Sequence, residues 1–359
     1  MIGLGIECTA HTLGIGIVRN GKIIANEKNS YTTERGGIIP MDAAKHHEEI
    51  FDVVLENALN KSKIKLTDLD FISLSIGPGL SPCLLVGLRK SKELSRKLGK
   101  PIVPVNHCVA HLEIGRVTGA KDPVMLYASG ANTQIIAYAS GKFRVFGETL
   151  DIGVGNFIDT FARYAGMGFP GGPAIEKLAQ QGKNFLELPY KVKGMDVALS
   201  GILTNLRQKL ERMNNNLLYH SPQPTTPSKK KIMLTDKPAL NELDYNLNDL
   251  AFSLQETVFA MLVEVSERAL AHTEKKELLL GGGVACNSRL QEMCKIMCKE
   301  RGCKCFIPPK NLLTDNGAMI AFTGEILFKN GDFINIKDID KLDIAPRQRT
   351  DDVEVSWRK

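Results

Sequence analysis

Two stretches of the chain follow one plan, and that repeat limits the folds available to it. The first runs IGLGIEC as a strand, Thr12 to Val18 as a second strand, and KIIANEK as a third; Asn20-Gly21 supplies the pair favoured in a type I′ hairpin turn. From Pro123 the pattern returns: VMLYAS, the tight turn GAN, TQIIAYAS, a second hairpin turn at Ser140-Gly141, then KFRVFGE. A β-turn-β-hairpin-β unit opening each half predicts an α/β protein of two duplicated lobes with a ligand cleft between them. At 359 residues the chain exceeds the usual single-domain size, which agrees with two lobes.

Helical patterns are expected near 41–60 and 81–98, around a buried strand FISLSIG (71–77) and a short strand PIVPV (101–105). After the second unit come helices near 155–166 and 173–181, an amphipathic stretch over 249–272, and LLLGGGVACNSRLQEMCKIMC, a strand ending in glycines before a helix. A final apolar helix, Asn316 to Phe328, is expected to pack back on the first lobe. The division is therefore 1–118 plus about 318–345 for the first lobe and 119–317 for the second. The polar stretch at about 213–246, with its Asn triplet, SPQPTTPS and Lys triplet, reads as a flexible insertion.

The chain has no apolar run of about 18 residues, and MIGLGIECTA lacks a signal-peptide pattern, so a soluble cytoplasmic protein without membrane contact is expected. The eight cysteines lack the framework spacing of a small secreted domain. A net charge of +6 permits a polyanionic partner.

NHCVAHLEIGR sets His107 and His111 four residues apart in a chain with seven histidines. On a helix they share a face and can meet one metal ion, or they are two surface histidines one turn apart. A zinc protease is disfavoured because Cys108 stands where H-E-x-x-H needs its glutamate. Three glycine-rich turns, SGAN (129–132), GFPGGP (168–173) and GGGVACN (281–287), fall at strand ends or before helices and suggest a nucleotide cleft. At the second, Pro173 is expected at the first helical position and Glu176 in the first turn. Asn156 and Asp159 are placed to share a helix face and reach ribose hydroxyls; the ordinary reading is an exposed helix acid. Asp315 reads as a residue at or near a helix cap, and Glu7 ends the first strand facing the phosphate region. The Cys294, Cys298, Cys303 and Cys305 cluster lacks a standard zinc spacing. RKSKELSRKLGK (89–100) reads first as a solvated face, with RNA or an acidic partner as the alternative.

Taken together, GIECTAHT, NHCVAHLE, LYASGANTQ, GNFIDTFAR, GFPGGPAIEKLA, KGMDVALSG, SLQETVFAMLVEVSERA, GGGVACNSRLQEM and LLTDNGAMIA closely resemble the universal tRNA threonylcarbamoyladenosine transferase family. The nearer branch is the archaeal and eukaryotic one, the catalytic subunit of the KEOPS complex. The likeness covers nearly the whole chain except the insertion.

The resemblance implies an actin/Hsp70/sugar-kinase-like fold with two ribonuclease-H-like lobes. It implies one iron or zinc ion per subunit held by His107, His111, Asp315 and Tyr127. It places Tyr127, Ala128, Ser129, Gly130 and Ala131 at the phosphate or threonylcarbamoyl end, Asp159 and Glu176 at the ribose with Gly172 beside it, and Asn287 at the adenine; the turns and the helix spacing add Asn132, Asn156 and Gly283 to the substrate-binding candidates. The implied reaction moves a threonylcarbamoyl group from threonylcarbamoyl-AMP to the exocyclic amine of the adenosine 3′ of the anticodon in tRNAs reading ANN codons. An ATP-, ADP- or AMP-type nucleotide, with or without magnesium, fits the same cleft. The implied partners are the kinase-like ATPase and the small dimerising subunit of KEOPS. His11, standing where bacterial relatives carry an aspartate, Glu7 and His47 are candidates for polar catalytic roles.

The chain departs from the family in having Ala131 where most relatives read SGG, and in a more basic, bulkier CLLVGLRKSKELSRKLGKP. Two alternatives stay open: an ATP-dependent small-molecule kinase of the same fold, disfavoured by His11 in the first phosphate loop, and a non-catalytic nucleic-acid-binding scaffold.

Overall fold

Apolar runs punctuated by Asn-Gly and Ser-Gly build two sheets of the same design. The computed structural model describes residues 1–34, 36–220 and 244–358, with side chains of the helix that ends at 220 described as far as 213. In chain order the strands are β1 (Ile2–Glu7), β2 (Thr12–Arg19), β3 (Lys22–Ser30), β4 (Phe71–Gly77), β5 (Ile102–Asn106), β6 (Val124–Ala128), β7 (Thr133–Ala139), β8 (Lys142–Glu148), the short β9 (Val192–Lys193) and β10 (Asp196–Val197), β11 (Glu277–Gly281) and β12 (Lys304–Phe306). The helices are α1 (Pro40–Ser62), α2 (Ser81–Leu98), α3 (His107–Glu113), α4 (Val154–Tyr164), α5 (Gly172–Ala179), α6 (Ser200–His220), α7 (Leu247–Thr273), α8 (Ser288–Glu300), α9 (Lys310–Leu313) and α10 (Gly317–Asn330).

The first sheet has the order β3-β2-β1-β4-β5 and the second β8-β7-β6-β11-β12. In each, the first three strands are antiparallel and the last two join in parallel. The register slips once in each outer hairpin, between Ile17 and Val18 in the first and between Ile135 and Ile136, farther from the turn, in the second. Asn20 and Gly21 (φ 49° and 79°) and Ser140 and Gly141 (φ 51° and 79°) have the paired left-handed conformations of type I′ turns.

Sheet one buries Leu4, Ile6, Leu13, Ile15 and Ile17 against Phe51 and Leu55 of α1 and Leu88 of α2. Sheet two packs on α4 to α8, through Phe157, Phe161, Leu206, Leu254, Val258 and Leu290. The apolar helix α10 does return to the first sheet and lies directly on its backbone. A Cβ on Gly16 would stand 2.2 Å from the Ala318 amide nitrogen, and one on Gly317 would stand 2.2 Å from that of Gly16. The close approach fixes the start of α10, and Asp315 with it.

Two local expectations change. Pro173 lies second in α5, after Gly172, so Glu176 falls in its second turn. The polar stretch is helical at its start, because α6 runs on to His220; residues 221–243, most of the expected insertion, lie outside the described residues. The basic stretch of α2 is a solvated face on which Arg89 pairs with Glu48 and Glu93, Lys90 with Glu48 and Asp52, and Arg96 with Asp340. No helix among the described residues is long and apolar enough to cross a membrane.

Candidate metal centre

The buried strand β5 leads straight into α3, whose first residue is His107; the Asn106 side chain caps it by accepting from the Val109 N–H at 3.1 Å. The helical spacing brings the His107 and His111 rings to 4.8 Å between centroids, both buried. From 204 residues away, the turn before α10 delivers Asp315. Asn316 is the helix cap, accepting from the Met319 N–H, which leaves the Asp315 carboxylate free to turn toward the imidazoles. Its Oδ1 lies 3.2 Å from His111 Nε2 and 3.4 Å from His107 Nε2.

Ligand atoms of His107, His111 and Asp315 all fall within 4.8 Å of one another, and among the described residues no other His, Cys, Asp or Glu group of three or more does so. Cys294, Cys298, Cys303 and Cys305 therefore form no metal cluster there, although Cys298 neighbours Cys305. Tyr127, near the end of β6, is buried with its ring 5.1 Å from His111 and 6.5 Å from His107.

Burial works against a charge on His107, but Glu7 and Asp315 together outweigh it and hold the imidazole well above its ordinary range. Burial instead wins at His111 and lowers it. Asp315, opposed by burial, is held well below the carboxylate range by the two imidazoles. Burial pushes the Tyr127 phenol well up, so a nearby cation is needed to ionise it. The donor set fits a metal ion. His107 turns Nε2 inward because Nδ1 is engaged by Glu7, and the buried His111 Nδ1 has no hydrogen-bond partner.

Two sequence-stretch expectations are corrected here. Glu7 is fully buried and does not face phosphates: its Oε2 lies 3.0 Å from His107 Nδ1, and its Oε1 accepts from the Thr9 N–H and hydroxyl. Its carboxylate is spent on His107 and Thr9. His47 is also fully buried; its Nε2 donates to the Ala10 carbonyl at 2.9 Å, and burial lowers its pKa to about 4. It holds the β1–β2 loop from behind as a neutral ring.

The remaining candidates lie on the β1–β2 loop, on the turn after β6 and around α4, α5 and the start of α8. His11, half-buried on the β1–β2 loop, meets Phe169 edge-on at 5.2 Å; burial raises the nearby Asp159 carboxyl, against the opposing pull of the Gly171 N–H and His11. Asp159 Oδ1 accepts from the Gly171 N–H at 2.7 Å, just before Gly172. The turn after Ala128 is closed by the Ser129 N–H on the Asn132 carbonyl. The N–H groups of Gly155 and Asn156 donate to the carbonyls of Ser129 and Gly130, so the start of α4 is spent on the turn. Gly130, Ala131, Asn156 and Gly283 remain exposed. Glu176 accepts from the Ser288 N–H and hydroxyl, tying α5 to the start of α8. Asn287 caps α8 through Oδ1 and donates to Gln255 through Nδ2.

Sequence reasoning missed Glu113, Gln255, Ser288 and Lys28, whose ammonium reaches the Asp315 carbonyl at 3.2 Å. Glu113, Gln255 and Ser288 stand in motifs that carry the family resemblance, whereas Lys28 carried no signal.

Residues 22–322 match the family described as TsaD, tRNA N6-adenosine threonylcarbamoyltransferase. The chain belongs to that family. It is 51% identical over 357 residues to the tRNA N6-adenosine threonylcarbamoyltransferase of Thermococcus sibiricus, covering 99% of this chain and 100% of that one. It is 45% identical to the Archaeoglobus fulgidus protein of the same name, over 99% and 100% of the two chains. A bifunctional tRNA threonylcarbamoyladenosine biosynthesis protein of Thermoplasma acidophilum, named as probable, is 46% identical over 99% of this chain and 61% of its own length. Among solved structures, Thermococcus kodakarensis HypF superposes with a TM-score of 0.60 at 13% identity, over 92% of this chain and 48% of HypF. The activator of 2-hydroxyisocaproyl-CoA dehydratase from Clostridium difficile gives 0.52 at 10% identity, over 95% and 96%. These two likenesses speak to the fold, which is the actin-like one expected for the family.

Proposed function

We propose that this chain is the acyltransferase of its family, moving threonylcarbamoyl from threonylcarbamoyl-AMP to the exocyclic amine of the adenosine 3′ of the anticodon in tRNAs reading ANN codons. The observation that carries the reading is the meeting of His107, His111 and Asp315 within reach of one ion, in a chain of this family. In this reading those three residues and Tyr127 hold iron or zinc, and Glu7 orients His107. A bound ion supplies Lewis acidity toward the acyl-phosphate and offsets charge as AMP leaves.

The protein's own groups do the positioning. The turn Ala128–Asn132 receives the acyl-phosphate end, Asp159, Glu176 and Asn156 hold the ribose with Gly172 beside it, and Gly283 lets the base pass the main chain. Asn287, committed to its cap and to Gln255, shapes the adenine wall. Holding both reactants in line converts a bimolecular attack into a local one. The adenine amine is a poor nucleophile, and His11, near Asp159, is the candidate to take its proton. The two-lobe division near residue 118, a cytoplasmic location, and assembly with a kinase-like ATPase and a small dimerising subunit belong to the same reading.

Incubating the purified chain and its presumed partners with unmodified tRNA, threonine, bicarbonate, ATP and a separate adenylate synthase tests it. Digested tRNA should contain the modified nucleoside, and His111→Ala should abolish it. A phosphorylated small molecule in its place would favour the kinase alternative; full modification with His111→Ala would favour the scaffold.

A further inference from the structure

A segment that crosses both lobes finishes on the two ends of α3. It leaves the first sheet where the Ala345 N–H donates to the Ile76 carbonyl at 2.7 Å and the Pro346 carbonyl accepts from Gly79 at 3.1 Å. Gln348 Oε1 then accepts from Asn106 Nδ2 at 3.1 Å, and Asn106 is the cap of α3. Further on, Arg349 pairs with Glu148, Thr350 meets Gln134 at 3.4 Å and Glu354 bridges Lys142, all on the second sheet.

At its far end, Trp357 Nε1 and Arg358 Nε donate to Glu113 Oε1 at 3.1 and 2.8 Å. Glu113 is the last residue of α3 and is fully buried. A carboxylate at a helix C-terminus opposes the helix dipole, and a buried charge without partners is costly. Arg116, at 2.5 Å, supplies one partner from next door; the others come from the crossing segment. Arg358 is itself held, its guanidinium 5.4 Å from the Tyr138 ring and 5.1 Å from that of Phe143. With seven residues, α3 is too short to hold its place alone.

We propose that residues 345–358 are a strap that fixes α3 at both ends and thereby sets His107 and His111 opposite Asp315. Gln348, Trp357 and Arg358 are then positioning residues for the ion. The inference rests on the metal reading given under Proposed function.

The test is Zn²⁺ titration of the whole chain against a chromophoric chelator, with circular dichroism to establish that each variant is folded. Trp357→Phe keeps an aromatic ring and removes the N–H; it and Arg358→Ala should each weaken Zn²⁺ binding about tenfold or more, as loss of an outer-sphere support does. Arg358→Lys should recover part of the loss. Arg349→Ala, on the strap but bonded away from α3, should bind as wild type, and His111→Ala should lose tight binding. Wild-type affinity in folded Trp357→Phe and Arg358→Ala, with His111→Ala impaired, would overturn the strap and leave the metal reading standing. An equal loss in Arg349→Ala would also overturn it, since the effect would not run through α3. Undiminished binding by His111→Ala would overturn the metal reading itself.

Discussion

The Glu7 carboxylate stands 3.0 Å from His107 Nδ1 across a sequence separation of 100 residues, joining the end of β1 to the start of α3. An acidic partner on the outer nitrogen fixes the tautomer and aims the other nitrogen inward. Glu7→Gln keeps the size and removes the charge. It should lower metal affinity about 10- to 100-fold while the fold survives, as read by chelator competition and circular dichroism. Affinity equal to wild type would show that His107 needs no such support.

Glu176 ties α5 to α8 through Ser288, and by the proposed reading it also holds the ribose. Glu176→Ala should raise KM for the adenylate about tenfold or more, the worth of a hydrogen bond to a charged group, with a smaller change in kcat. Steady-state kinetics with purified adenylate would separate the two constants.

His47 gives the protein a pH dependence of stability. Its folded-state pKa is lowered to about 4, by burial first, so the folded ring refuses a proton that the unfolded chain accepts below about 6.5. The stability that His47 contributes is therefore fully present above pH 6.5 and is lost as pH drops toward 4, by about 3 kcal/mol at most. Denaturant melts at several pH values would show the slope, and His47→Gln should flatten it.

Gly16→Ala should destabilise by about 1–3 kcal/mol or more, because the added methyl meets the backbone of α10 with no flexible side chain to yield. Chemical denaturation measures the loss. Since Asp315 lies in the turn that leads into α10, metal affinity should fall in the same variant.

The duplicated sheets were legible because their signals are local: Asn20-Gly21 and Ser140-Gly141 name the turn, and alternating strands flank each. The meeting of His107 and His111 on one helix face was legible for the same reason, as four residues make about one helical turn. Asp315 was not, since its neighbour Asn316 takes the cap and the fold alone decides where the freed carboxylate goes; only the family resemblance pointed to it. Glu7 was misread because a strand-end carboxylate looks exposed until α3 packs over it. His47 was misread likewise, a buried support resembling a catalytic group by residue type. The helix at Ser200–His220 was hidden by the Asn triplet near its end, where propensity favours turns over helix. Nothing local in Trp357 or Arg358 announces contact with Glu113, more than 240 residues earlier.

The most direct measurement is the metal content of the purified chain beside that of His111→Ala and Asp315→Asn. The account predicts close to one tightly held ion per wild-type chain, with both variants stripped of it by a chelator that leaves the wild type loaded. Equal metal retention in all three, or none in a wild type that still modifies tRNA, would contradict it.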